Sequence, residues 1–346
     1  MTARLPLVIA LLLLTHGVAA AEPALGAGSQ DALRAVGPQA QHILDLWRLT
    51  LGICTAVFAA VLLAFIYALW RAPRAREDTQ PDISALQTPE PRLRNRVIGA
   101  LAISTVLLLV LIGASVYTDR ALARMALRDA LHIEVTANQW WWNVRYDDED
   151  PSRMFTVANE IHIPVGRAVV LTLKSSDVIH SFWVPNLAGK KDLIPGRSAM
   201  LQLRADSEGT YRGQCAEFCG AQHTWMAFVV IAEPEDRYQA WAAKQREPAS
   251  EPAGGELARG KELFLSSTCV MCHAIQGTDA SARRAPDLTH VGGRATLAAG
   301  VLPNTPENIA AWIANPQAHK PGVNMPAHSF AQLDLRALAA YLHSLK

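Results

Sequence analysis

The chain has 346 residues, with 32 Lys and Arg against 31 Asp and Glu and a formal net charge of +1. So even a balance provides no basic field for a polyanion and excludes nucleic acid as a partner. Half the residues are hydrophobic, but three apolar runs lie within the first 118 residues and the rest alternates like soluble protein. The length allows two or three domains.

The first run is Leu5 to Leu14, after Arg4 and before Val18-Ala-Ala-Ala21. A basic start, a short apolar core and small residues at the end predict a signal peptide over residues 1–21. As a third membrane span the run is too short. The second and third runs, residues 49–70 and 97–118, are uncharged throughout. As helices they reach ~33 Å, which matches a hydrocarbon core of ~30 Å. Trp47, Trp70 and Tyr117 stand at their ends, where amphipathic rings favour the headgroup layer. A transmembrane hairpin over residues 22–130 follows. The loop between the spans, Arg71 to Arg96, carries six arginines against four acids, and positive loops stay inside. The export signal agrees, so residues 119–346 are expected outside the cytoplasm.

Asp119 to Asp129 reads as a continuing helix or short linker. From Leu131 the period becomes two. Strands are predicted from Leu131, Ala168, Ala199 and Met226, with turn signals at Asp147-Asp148, Pro164-Val-Gly166, Pro195-Gly196 and Glu208-Gly209. Short strands over residues 131–245 suggest a β-sandwich or Greek-key barrel, closed by a helix at Glu235–Gln245. Residues 246–255 have the composition of a linker. Residues 256–346 are helical in pattern, with segments at 256–264, 306–314 and 331–345 and caps at Thr305 and Ser329.

Two motifs carry the chemistry. The first is Cys215-Ala-Glu-Phe-Cys219-Gly-Ala-Gln-His223-Thr-Trp-Met226. Thiolate, imidazole and thioether are ligands that copper prefers. Their spacing of four, four and three residues suits a compact loop, with Gly220 allowing a tight backbone. His180, in an earlier loop, is the best candidate for a further ligand. A structural Cys₂His₂ zinc site would use the same residues but has no use for Met226.

The second is Cys269-Val-Met-Cys272-His273. Two thiols can attach a haem covalently, and the imidazole can take its proximal face. A thioredoxin-like pair is the alternative, but no βαβ pattern surrounds it. Met325, in a Pro-bounded loop, is the candidate for the distal face, with His319 and His328 behind it. Four of the five cysteines could instead form two disulfides, a reading that gives His223, Met226 and His273 no purpose. Cys54, mid-span, reads as a small buried hydrophobe.

Asn138-Gln-Trp-Trp-Trp-Asn-Val-Arg-Tyr146, Asp177-Val-Ile-His-Ser-Phe-Trp183 and Gln214-Cys-Ala-Glu-Phe-Cys-Gly-Ala-Gln-His223 resemble subunit II of haem–copper cytochrome c oxidases. The likeness covers residues 40–245. It implies a cupredoxin sandwich carrying the dinuclear copper centre CuA. Cys215 and Cys219 would bridge both coppers, and His180 and His223 would bind one each. Met226 and the Glu217 carbonyl would be weak axial ligands, while the Glu217 carboxylate would face a magnesium ion at the junction with subunit I. Trp140 aligns with a tryptophan through which electrons come in. The Met325 loop and Pro286 resemble the axial-methionine loop and proximal proline of class I cytochromes c. Sandwich and cytochrome in one chain look like the caa₃-type oxidases, where the fused haem c replaces a mobile cytochrome or is fed by one.

The resemblance therefore implies a subunit of a proton-translocating terminal oxidase in a bacterial inner membrane, with its soluble parts on the periplasmic side. Its partners would be subunit I, subunit III, membrane lipid and a soluble cytochrome c or similar donor. No oxygen-reducing centre is expected on this chain. The CuA subunit of a nitric-oxide reductase fits the same residues. A membrane-anchored copper metallochaperone is a further alternative, opposed by Met226 and the attached haem. One departure concerns protons. Many subunits II open the second span with Glu-x-x-Trp-Thr, whereas Arg92-Leu-Arg-Asn-Arg-Val stands here, with Glu90 outside the pattern.

Overall fold

The computed structural model describes residues 30–72, 83, 91–124 and 126–346. The expected signal peptide, Glu90 and most of the arginine-rich loop lie outside the described residues. Two long helices come first, α1 over Pro38–Arg71 and α2 over Pro91–Leu122. Both overrun the predicted spans at each end. An uncharged run marks only the part that must sit in hydrocarbon, whereas the helix continues into polar flanks. The most apolar stretch of each helix has no buried residue, and Phe58, Leu63, Leu101 and Tyr117 stand open; Cys54, expected to be buried, is exposed as well, because among the described residues no other element packs over that part of α1. Helices apolar on every side suit lipid, and the pair fits a membrane hairpin.

The segment before α1 is stitched to the sandwich. The Val36 amide donates to the Asn186 carbonyl at 2.8 Å, and the Asp206 amide donates to the Val36 carbonyl at 2.8 Å. The Asn186 side chain donates to the carbonyls of Asp31 and Arg34 at 3.0 and 2.9 Å. Gly37 sits inside this joint. A Cβ there would lie 2.1 Å from the Arg204 carbonyl oxygen, so no other residue fits without movement.

Ten strands then form a sandwich. One sheet has the order β3-β2-β1-β5-β8, built from Phe155–Ala158, Trp141–Asp147, Leu131–Asn138, Val169–Ser175 and Ala199–Leu203. The other has the order β4-β10-β9-β6-β7, built from Glu160–Pro164, Ala227–Glu233, Gly209–Cys215, His180–Trp183 and Lys191–Leu193. Most pairs are antiparallel, but β1 with β5 and β4 with β10 run parallel. The period-two pattern explains the core. Leu131, Ile133, Val135 and Ala137 of β1 point inward, as do Trp142, Val144 and Tyr146 of β2. Trp142, Phe182 and Phe228 meet there, with ring centroids 4.5 to 5.8 Å apart. This is the cupredoxin-like sandwich that the sequence led us to expect.

Helix α3, Glu235–Gln245, lies where predicted. Its Trp241 stacks on His162 at 4.0 Å. The segment after it differs from the expected free linker. The Arg246 guanidinium donates to the Arg153 carbonyl at 2.9 Å and lies over the Phe155 ring. The Ala249 amide donates to the Gln276 carbonyl at 2.9 Å, and His290 Nε2 bonds the Glu247 carbonyl at 3.0 Å. Composition reports the stiffness of an isolated chain; it does not report acceptors on either side of it.

The C-terminal region has α4 over Gly255–Ser266, α5 over Pro306–Ala314, α6 over Pro316–His319 and α7 over Gln332–Ser344. Phe264, Ile275, Leu338, Tyr341 and Leu342 form its own core. Thr305 caps α5 as expected, accepting from the Asn308 amide at 3.2 Å. Ser329 does not cap α7. The cap position falls on Ala331, which has no side-chain acceptor. A two-residue hairpin, β11 at Thr296–Leu297 and β12 at Leu302–Pro303, interrupts the otherwise helical region.

Candidate functional site

The first constellation forms at one end of the sandwich, where β6 and β9 pair. Phe182 stands opposite Cys215 in their register. Cys215 is the last residue of β9 and His180 the first of β6. His180 therefore lies on a strand, where a loop was expected; β6 has only four residues, too few to show a period. Cys219, His223 and Met226 lie on the loop to β10, tightened by a 3₁₀ turn at His223–Trp225. The loop turns sharply at Gly220, which has φ +109.

Donor atoms converge. One ligand atom each from His180, Cys215 and Cys219 lies within 4.8 Å of the others, and all three residues are buried. His180 Nδ1 is 3.8 Å from the Cys215 sulfur, and His223 Nδ1 is 3.5 Å from the Cys219 sulfur. The Met226 sulfur is 3.8 Å from that of Cys219. The Cys215 sulfur lies 3.2 Å from the Glu217 carbonyl oxygen. All five cysteines are free thiols, so neither motif forms the disulfide considered above. The Glu217 carboxylate points elsewhere, 3.7 Å from Lys190 Nζ at the surface.

The electrostatics favour an anion here. The Cys219 thiol bonds the Cys215 sulfur and holds its pKa down to about 3, against burial and with help from His180. That same sulfur pushes the Cys219 thiol up, and burial adds to it. One negative charge is thus shared before any metal arrives; a cation would release the second proton. Behind the site, His180 Nε2 and Asp177 Oδ1 are 2.7 Å apart. Burial opposes charge on His180, but Asp177 and Cys215 outweigh it and raise its pKa. A carboxylate bonded to one ring nitrogen fixes the other toward the sulfurs. Two soft anions, two imidazoles, a thioether and a carbonyl in a dry pocket fit a copper pair.

The second constellation is a cavity of about 560 Å³ in the C-terminal region. Cys269, Cys272, His273, Pro286 and Met325 all line it. His273 Nδ1 donates to the Pro286 carbonyl at 2.7 Å, which leaves Nε2 as the basic nitrogen. Burial lowers the His273 pKa and keeps the ring neutral. Gln317 Nε2 donates to the carbonyls of Val323 and Met325 at 2.8 and 3.3 Å, pinning the Met325 loop. His328 also lines the cavity; His319 does not. Met271, inside the attachment loop, is 65% exposed. Two thiols, a neutral imidazole and a thioether around one apolar cavity fit a covalently held haem.

The two constellations meet at Trp140. Its indole Nε1 donates to the Cys219 carbonyl at 2.9 Å, and the residue also lines the cavity. Trp140 is only 7% exposed. Trp141 lines the cavity beside it. Sequence reasoning missed four residues here. Asp177 lay inside a quoted motif, three residues before His180. Gln222 also lay inside a quoted motif, whereas Lys320 and Glu160 left no signal, because most of their partners lie 95 or more residues away. Lys320 is 1% exposed and donates to the carbonyls of Trp140, Trp225 and Ala298 at 2.8, 2.6 and 2.9 Å. Burial pulls its pKa down to about 7. Gln222 Nε2 donates to the Pro321 carbonyl at 2.7 Å, and the Ala295 amide donates to Glu160 Oε1 at 2.8 Å. Burial raises the Glu160 pKa despite that bond.

Comparison with known proteins agrees. The family described as "Cytochrome C oxidase subunit II, periplasmic domain" matches residues 148–233, and the family "Cytochrome c" matches residues 257–346. Cytochrome c oxidase subunit 2 of Alkalihalophilus pseudofirmus is 34% identical over 323 residues, covering 93% of this chain and 92% of that one. The subunit 2 of Bacillus sp. (strain PS3) is 32% identical over 263 residues, covering 70% and 72%. The crystal structure of the periplasmic domain of cytochrome oxidase subunit II from Bradyrhizobium japonicum aligns with TM-score 0.32 at 27% identity, over 34% of this chain and 93% of that one. With a copper-type ligand cluster, a haem-type cavity and a relative spanning nearly the whole chain, this protein belongs to the cytochrome c oxidase subunit II family, in the form that carries its own cytochrome c domain as part of a haem–copper terminal oxidase.

Proposed function

We propose that this chain is where electrons come in to its oxidase. It would accept them one at a time from a soluble donor in the C-terminal region and pass them through the Trp140 wall to the Cys215–Cys219 centre. Subunit I would receive them next and reduce oxygen to water. Haem c and a CuA pair, when bound, would supply the two one-electron centres. Cys269 and Cys272 would hold the haem as thioethers, with His273 and Met325 on its two faces. Cys215 and Cys219 would bridge the coppers, with His180, His223, Met226 and the Glu217 carbonyl completing the set. The Glu217 carboxylate, at the surface beside Lys190, is free to face a magnesium ion at the junction with subunit I. The membrane hairpin would place both soluble parts on the periplasmic side.

The single observation that carries this reading is the position of Trp140, one hydrogen bond from Cys219 and in the wall of the haem-type cavity. Electron tunnelling falls off steeply with gap, so a ring bonded beside one site and lining the other is the natural bridge. The chain's remaining work is to hold geometry and exclude water. Asp177 fixes the His180 ring, Pro286 fixes the His273 ring, and burial shields His180, Cys215, Cys219 and Met226 from water. The test uses the intact oxidase from membranes. Haem c is photoreduced and the copper absorption followed. Prompt bleaching of the copper band is expected; copper that stays oxidised sinks the relay.

Two variants examine the ligands. Met325→Ala should abolish the Met–Fe charge-transfer band and lower the haem potential; an unaltered band would assign the distal face to another residue. Asp177→Asn keeps the shape but loses the anion behind His180. Copper affinity should fall by about 10–100-fold, as for other carboxylate partners of metal-binding histidines. Competition against a calibrated copper chelator measures it, and parental affinity would show that Asp177 does not support the centre.

A further inference from the structure

We infer that Lys320 is a positioning residue, the latch that fixes the haem-type cavity against the copper-type site. The inference rests on the relay proposed above. Lysine is almost never fully buried without an anionic partner, and among the described residues Lys320 has no carboxylate within hydrogen-bond reach. Its ammonium is instead held by three carbonyls from three separate segments. Trp140 precedes β2 in the sandwich, Trp225 closes the loop that carries Cys219, His223 and Met226, and Ala298 belongs to the C-terminal region. In its protonated form the ammonium has three N–H donors, and all three are then used across the junction. Hydrogen bonds from a charged donor are the strong kind, and in so dry a place each carbonyl left without its donor carries a desolvation cost.

The location gives the latch its purpose. Lys320 itself lines the cavity. One of its carbonyls belongs to the tryptophan that bonds the Cys219 carbonyl, and another directly precedes Met226. A shift of Lys320 therefore moves the wall of one site relative to the other. Further ties surround it: Gln222 to the Pro321 carbonyl, the Ala295 amide to Glu160, and the Ala227 amide to the Ala299 carbonyl at 3.2 Å. Gly322 packs its backbone against the Trp140 ring; a Cβ there would lie 3.4 Å from it. Of these contacts only Lys320 ties the Trp140 backbone, the loop before Met226 and the C-terminal region together at one atom. The latched state also covers Trp140, so a soluble donor must deliver its electron to the C-terminal region.

Lys320→Met keeps the length and removes all three donors; Lys320→Gln keeps an amide donor and shortens the reach. Both are made in the intact oxidase. Two readouts are taken. Amide hydrogen exchange in peptides containing Ala227 and Ala295 reports the junction without any redox event. The rate from photoreduced haem c to copper reports the bridge, with both midpoint potentials measured so that driving force is separated from contact. With Lys320→Met, exchange should rise and the transfer rate should fall, each by at least about tenfold. The rate should also become dependent on solvent viscosity, because docking then limits it. Lys320→Gln should fall between Met and parent, and it serves alone if the Met variant does not assemble. Parental exchange and parental rate in either folded variant overturn the latch. A parent oxidase whose copper is never reduced by haem c removes the relay itself, and the latch with it.

Discussion

Cys215→Ser should leave the chain without its copper centre while the haem-type domain stays intact. A serine hydroxyl is not ionised at neutral pH, and oxygen is a poor match for copper where thiolate was the ligand. The loss cannot be shared out, because the sulfur of Cys215 is the one held as an anion by the Cys219 thiol. Removing it leaves Cys219 with a neutral neighbour and His180 without its sulfur contact. The fold should survive. The site lies at the end of the sandwich, whose centre is filled by Trp142, Phe182 and Phe228, and a sulfur-to-oxygen change of similar shape costs about 1–2 kcal/mol. Copper content and the EPR signal of the oxidised pair should vanish, and oxygen uptake should fall by about 100-fold or more, beyond the loss expected for a residue that merely supports a ligand. Haem c should still be reduced by the soluble donor. Retention of two coppers for each haem would remove Cys215 from the ligand set.

Gly37→Val should disrupt the joint between the hairpin and the sandwich. The added Cβ alone would approach the Arg204 carbonyl to 2.1 Å, and the Leu187 carbonyl to 3.2 Å. Both obstacles are backbone, so neither can swing aside as a flexible side chain would. Relief requires breaking the bonds of Val36 with Asn186 and Asp206. Forced overpacking of this kind costs about 3 kcal/mol. The expected result is selective: proteolysis should open the segment before α1 in isolated membranes, while the β-sandwich keeps its near-ultraviolet circular dichroism. Oxygen uptake should drop, since the copper site would no longer be held at a fixed place over subunit I. Parental protease resistance would show that the joint tolerates a side chain there.

The parts of this protein that could be read from the chain share one property: their information is local. Ligand spacing within Cys215–Met226 and Cys269–His273, the uncharged spans and the helix Glu235–Gln245 are each contained in a few turns or one loop. His180 was reachable from sequence because its neighbours repeat a known pattern. What escaped was decided by partners far along the chain. Strands β3, β6 and β7 have four residues or fewer and exist because neighbours pair with them. The segment 246–255 looked flexible because nothing in it names Arg153 or Gln276. Lys320 carries no mark in the sequence, and only tertiary structure reveals carbonyls 95 and 180 residues away.

The stitched segment ahead of α1 has a geometric result. Since Val36 and Gly37 are fastened to the sandwich and Pro38 already begins the helix, the anchor acts as a rigid mast and not as a mooring line. Elevation and compass bearing of the copper-type site are then counted in residues, about 1.5 Å and about 100° for each one. Aim toward the neighbouring subunit is thus written into the length of a lipid-facing helix that touches no ligand at all.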